Sequence, residues 1–348
     1  MASPLSSAAQ FAPIPRLRKP RHPGLNRPRL SVIVVNYRQW EETNDLVRQL
    51  VACPCVQRGE AEVVIVDNHS PKHPAIARLR RLPNVSLRRW SKNHGFARAV
   101  NEGYRLSQGD WLLLLNPDIT LSEDFLDHVL AHADRLAAAD PRLGVVGFHL
   151  RNPDGSRQLS TGPIPTLFST LARLALPRKR RKYQKRAAID AEQTPWVTGC
   201  CLLVRRDCLD ELAGLDEHYF LYYEDVDLCH RARQKNWNVW YDPTLAVVHR
   251  HPLHSRAQPA ALRLVTRHSL LTFARKHWPA WQARVLARIV RLEGRVRALA
   301  SWWNGDVRET RLFEHLRDLA GDFLNDQPGA ARKRLEAIIA RVDVRVGV

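Results

Sequence analysis

Two short stretches place carboxylates where a strand should end. The first runs Trp111-Leu112-Leu113-Leu114-Leu115-Asn116-Pro117-Asp118, the second Phe220-Leu221-Tyr222-Tyr223-Glu224-Asp225-Val226-Asp227. An apolar run that stops in Asn-Pro-Asp reads as a buried strand delivering a carboxylate at its C-terminal end. In open α/β sheets that end is where ligands sit. An acidic cluster flanked by aromatics can bring a general base to the same crevice. Together the two stretches point to an enzyme that handles a metal-bound, phosphate-bearing substrate.

The elements that must position them follow from the hydrophobic pattern. Leu30–Val35 is a short, β-branched, uninterrupted run, so it reads as a buried strand ending at Asn36-Tyr37. A helix follows with Leu46, Val47 and Leu50 on one face. Glu62–Val66 is a second buried strand ending at Asp67-Asn68, residues 75–82 read as helical, and Val85–Leu87 as a short strand. Asn93-His94-Gly95-Phe96 opens a helix that runs to about Leu106, and 111–115 is the fourth strand. Strand alternating with helix implies a mainly parallel sheet built from right-handed crossovers. A helix over 122–139 is expected to start on Ser122 as N-cap, and Leu143–Leu150 is another strand. Val197–Arg205 reads as a strand, 207–212 and 225–236 as helices, then 237–241 and 246–248 as two further strands.

Beyond about residue 257 the pattern is helical. Val285, Ile289, Leu292, Val296 and Leu299 make one apolar stripe, with Arg284, Arg288, Arg291 and Arg295 in the same register beside it. The stripe reads as a packing face with a solvated arginine row. The alternative is a membrane-surface helix, supported by Trp302-Trp303 and the overall charge. Leu312, Leu316, Leu319 and Phe323 make a second stripe. The expected organisation is a disordered basic tail over 1–28, an α/β domain over 29–256 and a helical region over 257–348.

A chain of 348 residues with 45% hydrophobic content can build a sizeable core. Its formal charge of +19 favours polyanionic partners: nucleic acid, anionic lipid or sugar phosphates. No helix-turn-helix, zinc module or RNP-type signature supports nucleic acid. The six cysteines form no C-x-x-C pair and no regular framework, which fits a reduced cytoplasmic setting. No segment approaches the roughly 18 apolar residues that span a bilayer, and the N-terminus lacks the apolar core of a signal peptide. The expected location is cytoplasmic, with peripheral contact at the inner face of an anionic membrane as its extension. The basic run 178–186 reads as a solvated loop, or as one that meets lipid headgroups.

Six motifs in order now resemble a known family. They are Val35-Asn36-Tyr37; Val66-Asp67-Asn68-His69-Ser70; Asn93-His94-Gly95-Phe96-Ala97 with Asn101; Asn116-Pro117-Asp118; Thr198 through Arg206; and Phe220 through Leu228. The sequence over about 30–255 resembles glycosyltransferase family 2, in its rhamnosyltransferase-like branch. The resemblance implies the GT-A fold, plus a C-terminal helical extension here, and transfer of a sugar from a nucleotide diphosphate with inversion at the anomeric carbon. It implies that Val35, Tyr37, Asp67, Asn93 and Gly95 bind the nucleotide. Asp118 takes the last position of the family's Asp-x-Asp metal motif, which here reads Asn116-Pro117-Asp118, and His249 resembles the C-terminal metal-contacting histidine. Asp225 is the implied catalytic base, with Glu224 as rival.

The implied cofactor is a divalent cation, Mg²⁺ or Mn²⁺, with His249 tilting the choice toward Mn²⁺. The implied partners are a nucleotide-sugar donor, dTDP-rhamnose by branch, and a saccharide or polyprenyl-diphosphate-linked acceptor in bacterial cell-surface polysaccharide biosynthesis. Arg98 and Arg205 are candidates to help neutralise the leaving diphosphate. The alternatives are a transferase that uses a UDP- or GDP-sugar, or an inactive scaffold that binds a nucleotide sugar. Each acid also has a purely structural reading: Asp118 as an Asx turn or helix cap, Asp67 as turn chemistry, Asp225 as an N-cap.

Overall fold

A computed structural model of the chain describes residues 27–174, 190–250 and 260–341. The expected tail lies almost wholly outside the described residues, as does the basic run 178–186. In chain order the elements are β1 (Leu30–Asn36), α1 (Trp40–Ala52), α2 (Pro54–Gln57), β2 (Ala61–Asp67), α3 (Ala75–Leu79), β3 (Val85–Arg89), α4 (Phe96–Leu106) and β4 (Trp111–Leu115). Then come β5 (Ile119–Thr120), α5 (Phe125–Ala139), β6 (Leu143–Arg151), β7 (Arg157–Gln158), α6 (Leu167–Leu174), β8 (Glu192–Gln193), β9 (Cys201–Arg205) and α7 (Arg206–Glu211). The last six are α8 (Glu224–Gln234), β10 (Asn238–His249), α9 (Ala260–His277), α10 (Ala280–Trp303), α11 (Val307–Leu324) and α12 (Pro328–Arg341).

The central sheet runs β3-β2-β1-β4-β9-β6-β10-β5. The first four strands are parallel, as are β6 and β10, while β9 lies antiparallel between β4 and β6. Both faces of the sheet are covered, which is why its strands read as unbroken apolar runs. Ile33 and Val35 of β1, Leu112 and Leu114 of β4, and Leu202 and Val204 of β9 face a core shared with α4, α8 and the C-terminal helices. Their alternates, including Val32, Val34, Leu113 and Leu203, face α1 and α5.

The parallel directions bring Asn36, Asp67 and the residue after Leu115 to one edge of the sheet. Because β9 runs the other way, it is the start of that strand, next to Cys200, that reaches this edge. Its end does not: Arg205 pairs in register with Trp111, at the far edge, and stacks on Trp237. Arg205 is therefore remote from the strand ends that carry the acids.

Four local expectations change. The helix after β5 starts at Phe125 rather than on Ser122, because the Ser122 hydroxyl turns to Asp124 (2.5 Å) and caps no backbone amide. The strand expected over 197–205 begins only at Cys201, since 198–200 form a turn. The two strands expected over 237–248 are one, β10, with an irregularity in register between Asp242 and Ala246. In α10 the apolar stripe packs only at its start, where Val285 meets the core and Ile289 is half-buried. Leu286, Ala287, Val290 and Gly294 are buried, whereas Leu292, Val296 and Leu299 point to solvent. The α11 stripe, Leu312, Leu316, Leu319 and Phe323, is buried as read.

No disulfide joins the described residues. Burial pushes the Cys53 thiol up to about 11 and those of Cys55 and Cys229 to about 12, so all three are inert packing groups. Among the described residues no helix is long and apolar enough to cross a membrane.

Candidate active site

At the β1 and β2 ends, side chains tie the strands together. Asn36 donates from Nδ2 to Asp67 Oδ1 and to Ser70 Oγ, both at 3.0 Å. Asp67 is fully buried and pairs with Arg89 at 2.8 Å. Burial raises its carboxyl, and the hydrogen bonds from Ser70, Arg89 and Asn36 offset only part of that rise. The neighbouring Asn68 turns the other way. Its Nδ2 donates to Asn93 Oδ1 (2.8 Å) and to the Gly95 carbonyl (3.2 Å), while its Oδ1 accepts from His94 N–H (2.9 Å).

A crevice opens over these groups, lined by Val35, Tyr37, Asn68, Asn93, Gly95, Phe96, Phe220 and Leu221. Four of the five residues expected to hold a nucleotide are therefore on its wall. Asp67 is not, and Asn68 stands there instead. Only the position of Asn68 beside Asp67 at a strand end could have singled it out.

Gly95 makes the wall possible. Its φ of 91° and ψ of 164° fall in a region that only glycine populates freely. A Cβ there would lie 2.7 Å from the Phe220 carbonyl oxygen. The close approach lets Phe96 N–H donate to that same oxygen at 2.6 Å. So the start of α4 is locked to the aromatic stretch that leads into the second acidic cluster. Arg332, from α12, adds a clamp: its guanidinium sits 4.9 Å from the Phe220 ring centroid and donates to the carbonyls of His94 (3.1 Å) and His218 (3.3 Å).

Tyr222 and Tyr223 are both left-handed, with φ of 70° and 68°. Consecutive non-glycine residues in that region cost about 1–3 kcal/mol each and persist where the surroundings impose them. The turn they make puts Glu224 and Asp225 in the first turn of α8, where the helix end favours negative charge. Asp225 Oδ2 accepts from Gly199 N–H (3.1 Å) and Oδ1 from Val226 N–H (2.8 Å). Asp227 points elsewhere, into a fully buried cage. Burial pushes its carboxyl up, but His277, Arg231 and Lys276 outweigh this and hold it at about 2. Its charge is spent on fixing α8 to α9.

The same turn that meets Asp225 also meets the first acidic stretch. Asn116 N–H donates to the Cys200 carbonyl at 3.0 Å, and its Nδ2 reaches Cys200 Sγ at 3.5 Å. Asn116 thus acts as a strut between β4 and the 198–200 turn. Two residues on, Asp118 is buried with neither carboxylate oxygen hydrogen-bonded among the described residues. His249, at the end of β10, is buried beside it: Nε2 lies 3.3 Å from Asp118 Oδ1 and has no hydrogen-bond partner either. The Gln158 amide packs on the other ring nitrogen, with Oε1 3.1 Å and Nε2 2.9 Å from Nδ1. An amide oxygen that accepts Nδ1–H leaves the Nε2 lone pair facing Asp118. In that tautomer the two carboxylate oxygens and the ring nitrogen, all buried and none hydrogen-bonded among the described residues, fit a cation. Two side chains are too few to cage one alone, which suits an ion completed by substrate phosphates.

Arg250 follows directly. Its backbone N–H donates to the Asp118 carbonyl (3.0 Å), and its Nε and Nη2 are buried without a hydrogen-bond partner among the described residues. It is a better-placed positive charge than Arg205, or than Arg98, which is exposed and turned to Glu217.

A sequence profile described as glycosyltransferase-like family 2 matches residues 28–269, a span that contains the whole sheet and both acidic stretches. The chain belongs to glycosyltransferase family 2. This family 2 chain is 30% identical over 274 residues to the N-acetylglucosaminyl-diphospho-decaprenol L-rhamnosyltransferase of Mycobacterium tuberculosis, covering 73% of this chain and 87% of that protein. It is 26% identical over 243 residues to a low-salt glycan biosynthesis hexosyltransferase of Haloferax volcanii, covering 64% and 68%. Among solved structures, GalNAc-T7 with UDP, GalNAc and Mn²⁺ superposes with a TM-score of 0.55 at 16% identity. That match covers 87% of this chain and 58% of the other, so the family 2 chain spans little more than half its length. At that identity the likeness is one of fold: the sheet and its flanking helices are the GT-A fold.

Proposed function

We propose that the chain is an inverting, metal-dependent transferase that moves a hexose from a nucleotide-diphosphate donor to a saccharide acceptor. One observation carries the reading. The 198–200 turn binds Asn116 on one side and Asp225 on the other, so a single turn joins the Asn-Pro-Asp segment to the start of α8.

In this reading Val35, Tyr37, Asn93 and Gly95 line the nucleotide site, Asn68 orders its wall, and Asp67 acts by setting the β1 and β2 ends. Asp118 and His249 would hold Mg²⁺ or Mn²⁺. The ion would supply charge neutralisation at the leaving diphosphate. Arg250 adds positive charge beside them. Asp225 takes the proton from the acceptor hydroxyl while that oxygen attacks the anomeric carbon, and the carbon–oxygen bond to the diphosphate breaks on the opposite face. Two backbone amides hold both Asp225 oxygens in place for that transfer, and Glu224 is the neighbouring acid.

The likeness to the mycobacterial L-rhamnosyltransferase supports rhamnose as the sugar moved and a saccharide on polyprenyl diphosphate as the acceptor; dTDP-rhamnose as donor and cell-surface polysaccharide as product rest on the motif resemblance alone. The test is transfer from dTDP-rhamnose, UDP- and GDP-sugars, with and without Mn²⁺. We expect metal-dependent transfer from one donor, and a fall of about 10²–10⁴-fold in kcat for Asp225→Asn with donor binding retained. Full activity in Asp225→Asn would remove the base assignment.

A further inference from the structure

Among the described residues, nothing covers one apolar face of the helix α10. Trp281, Leu292, Val296, Leu299, Trp302 and Trp303 are between 57% and 82% exposed. At 100° per residue five of them fall within about 60° of one another, directly opposite the buried Leu286, Val290 and Gly294, with Trp302 at the margin. From Trp281 to Trp303 the row is about 33 Å long. Arg284, Arg288, Arg291 and Arg295, all exposed, form a second row along one flank.

The sole acid of this helix, Glu293, is kept off that surface. It is pinned by Arg267 (2.8 Å), Arg297 (3.1 Å) and Arg263 (3.5 Å), three cations that hold its carboxyl down against the opposing effect of burial. The exposed side of α10 therefore presents apolar groups and positive charge and nothing else. Tryptophans at both ends suit the boundary between water and lipid.

We propose that this face of α10 docks the protein on an anionic lipid surface, with the helix lying in the plane of the headgroups. Charge decides the occupant. A second copy meeting the same patch would set one arginine row against another, on a chain of formal charge +19. An anionic bilayer complements the row and accepts the apolar stripe. The inference deepens the reading of a lipid-linked acceptor and rests on it for its purpose, but the surface itself is read from α10 alone.

The test is sedimentation of the full chain with phosphatidylcholine vesicles that contain or lack phosphatidylglycerol, at low and high salt. We expect binding only to the anionic vesicles, weakened by salt. Leu299→Ser with Trp303→Ser should weaken it at least about tenfold. Replacing the four arginines by glutamine should do the same and flatten the salt dependence. These positions are exposed, so thermal stability should stay at the wild-type value. Unchanged vesicle binding in both variants would overturn the proposal and move the contact to another basic segment. A dimer in analytical ultracentrifugation that the serine variant dissociates would also overturn it, in favour of a second copy. Transfer to a soluble acceptor, measured on the same variants, should be unaffected. Loss of vesicle binding with transfer intact separates this surface from the catalytic reading.

Discussion

Replacing Gly95 by alanine probes the lock between α4 and the aromatic stretch. The backbone there, φ 91° and ψ 164°, costs a side-chain-bearing residue about 1–3 kcal/mol. The new Cβ would sit 2.7 Å from the Phe220 carbonyl oxygen and 3.0 Å from its Cα, which are backbone atoms that no rotamer change can move. Separation to ordinary contact breaks the Phe96 N–H bond to that oxygen, and a buried unsatisfied amide costs about 1–3 kcal/mol. The smaller entropy of the unfolded alanine chain returns roughly 0.4–1 kcal/mol. The net expectation is a loss of about 1–5 kcal/mol, up to a large share of a typical folding free energy. Gly155 is the control: its φ is 79°, but a Cβ there meets nothing within 4 Å. Gly155→Ala should cost only the backbone component, about 1–2 kcal/mol. Urea unfolding of both variants and the wild type reads the difference, and titration with the nucleotide sugar reads the crevice. If Gly95→Ala costs no more than Gly155→Ala and binds donor as well as wild type, the close approach to Phe220 is not what shapes the wall.

Three further outcomes are expected. Gln158→Leu should weaken Mn²⁺ binding about 10–100-fold in calorimetry with the nucleoside diphosphate present, because His249 loses the group that orients it; equal affinity would show that the ring needs no such support. Burial, aided by Arg332 and His218, pushes His268 down to about 3. The unfolded chain takes up this proton below about 6.5 and the folded chain only near 3, so this stability is full above pH 6.5 and shrinks as pH falls through that window, by about 4–5 kcal/mol at its end. His268→Leu should flatten the pH dependence of the urea midpoint between pH 7 and 4, and an unchanged slope would place the titration elsewhere. Arg332→Ala should raise the donor KM more than it lowers kcat, since it loosens the His94 and Phe220 wall; Arg332→Lys, which cannot serve two carbonyls and a ring at once, should rescue little.

Much of the sheet was legible because its strands are buried on both faces, and such strands advertise themselves as unbroken apolar runs that stop at Asn or Asp. Direction is not written in hydrophobicity, so the antiparallel β9 and the consequent distance of Arg205 from the acids were not. The site acids were legible as types in sequence. Val35, Tyr37, Asn93 and Gly95 of the wall were legible too, but Asn68 and Phe220 were not, because they take their places through contacts between segments far apart in the chain. The α10 face was misread for a definite reason. Periodicity ranks Leu and Val above Ala and Gly, yet the packed side needs small residues: a Cβ at Gly294 would lie 2.7 Å from the Arg317 backbone nitrogen, so only glycine lets α11 come so close. The large apolar groups were left for the outside.

The Arg332 clamp joins groups 238 residues apart. A ribosome adding about 5–20 residues per second needs on the order of 10–50 s to cover that interval. Only β1–β3 precede that interval; α4 and the remaining strands of the sheet are completed during it, all before the guanidinium that holds the His94 carbonyl exists. The sheet is therefore complete before α12 arrives, and the crevice walled by Gly95 and Phe220 is among the last parts of the molecule to mature.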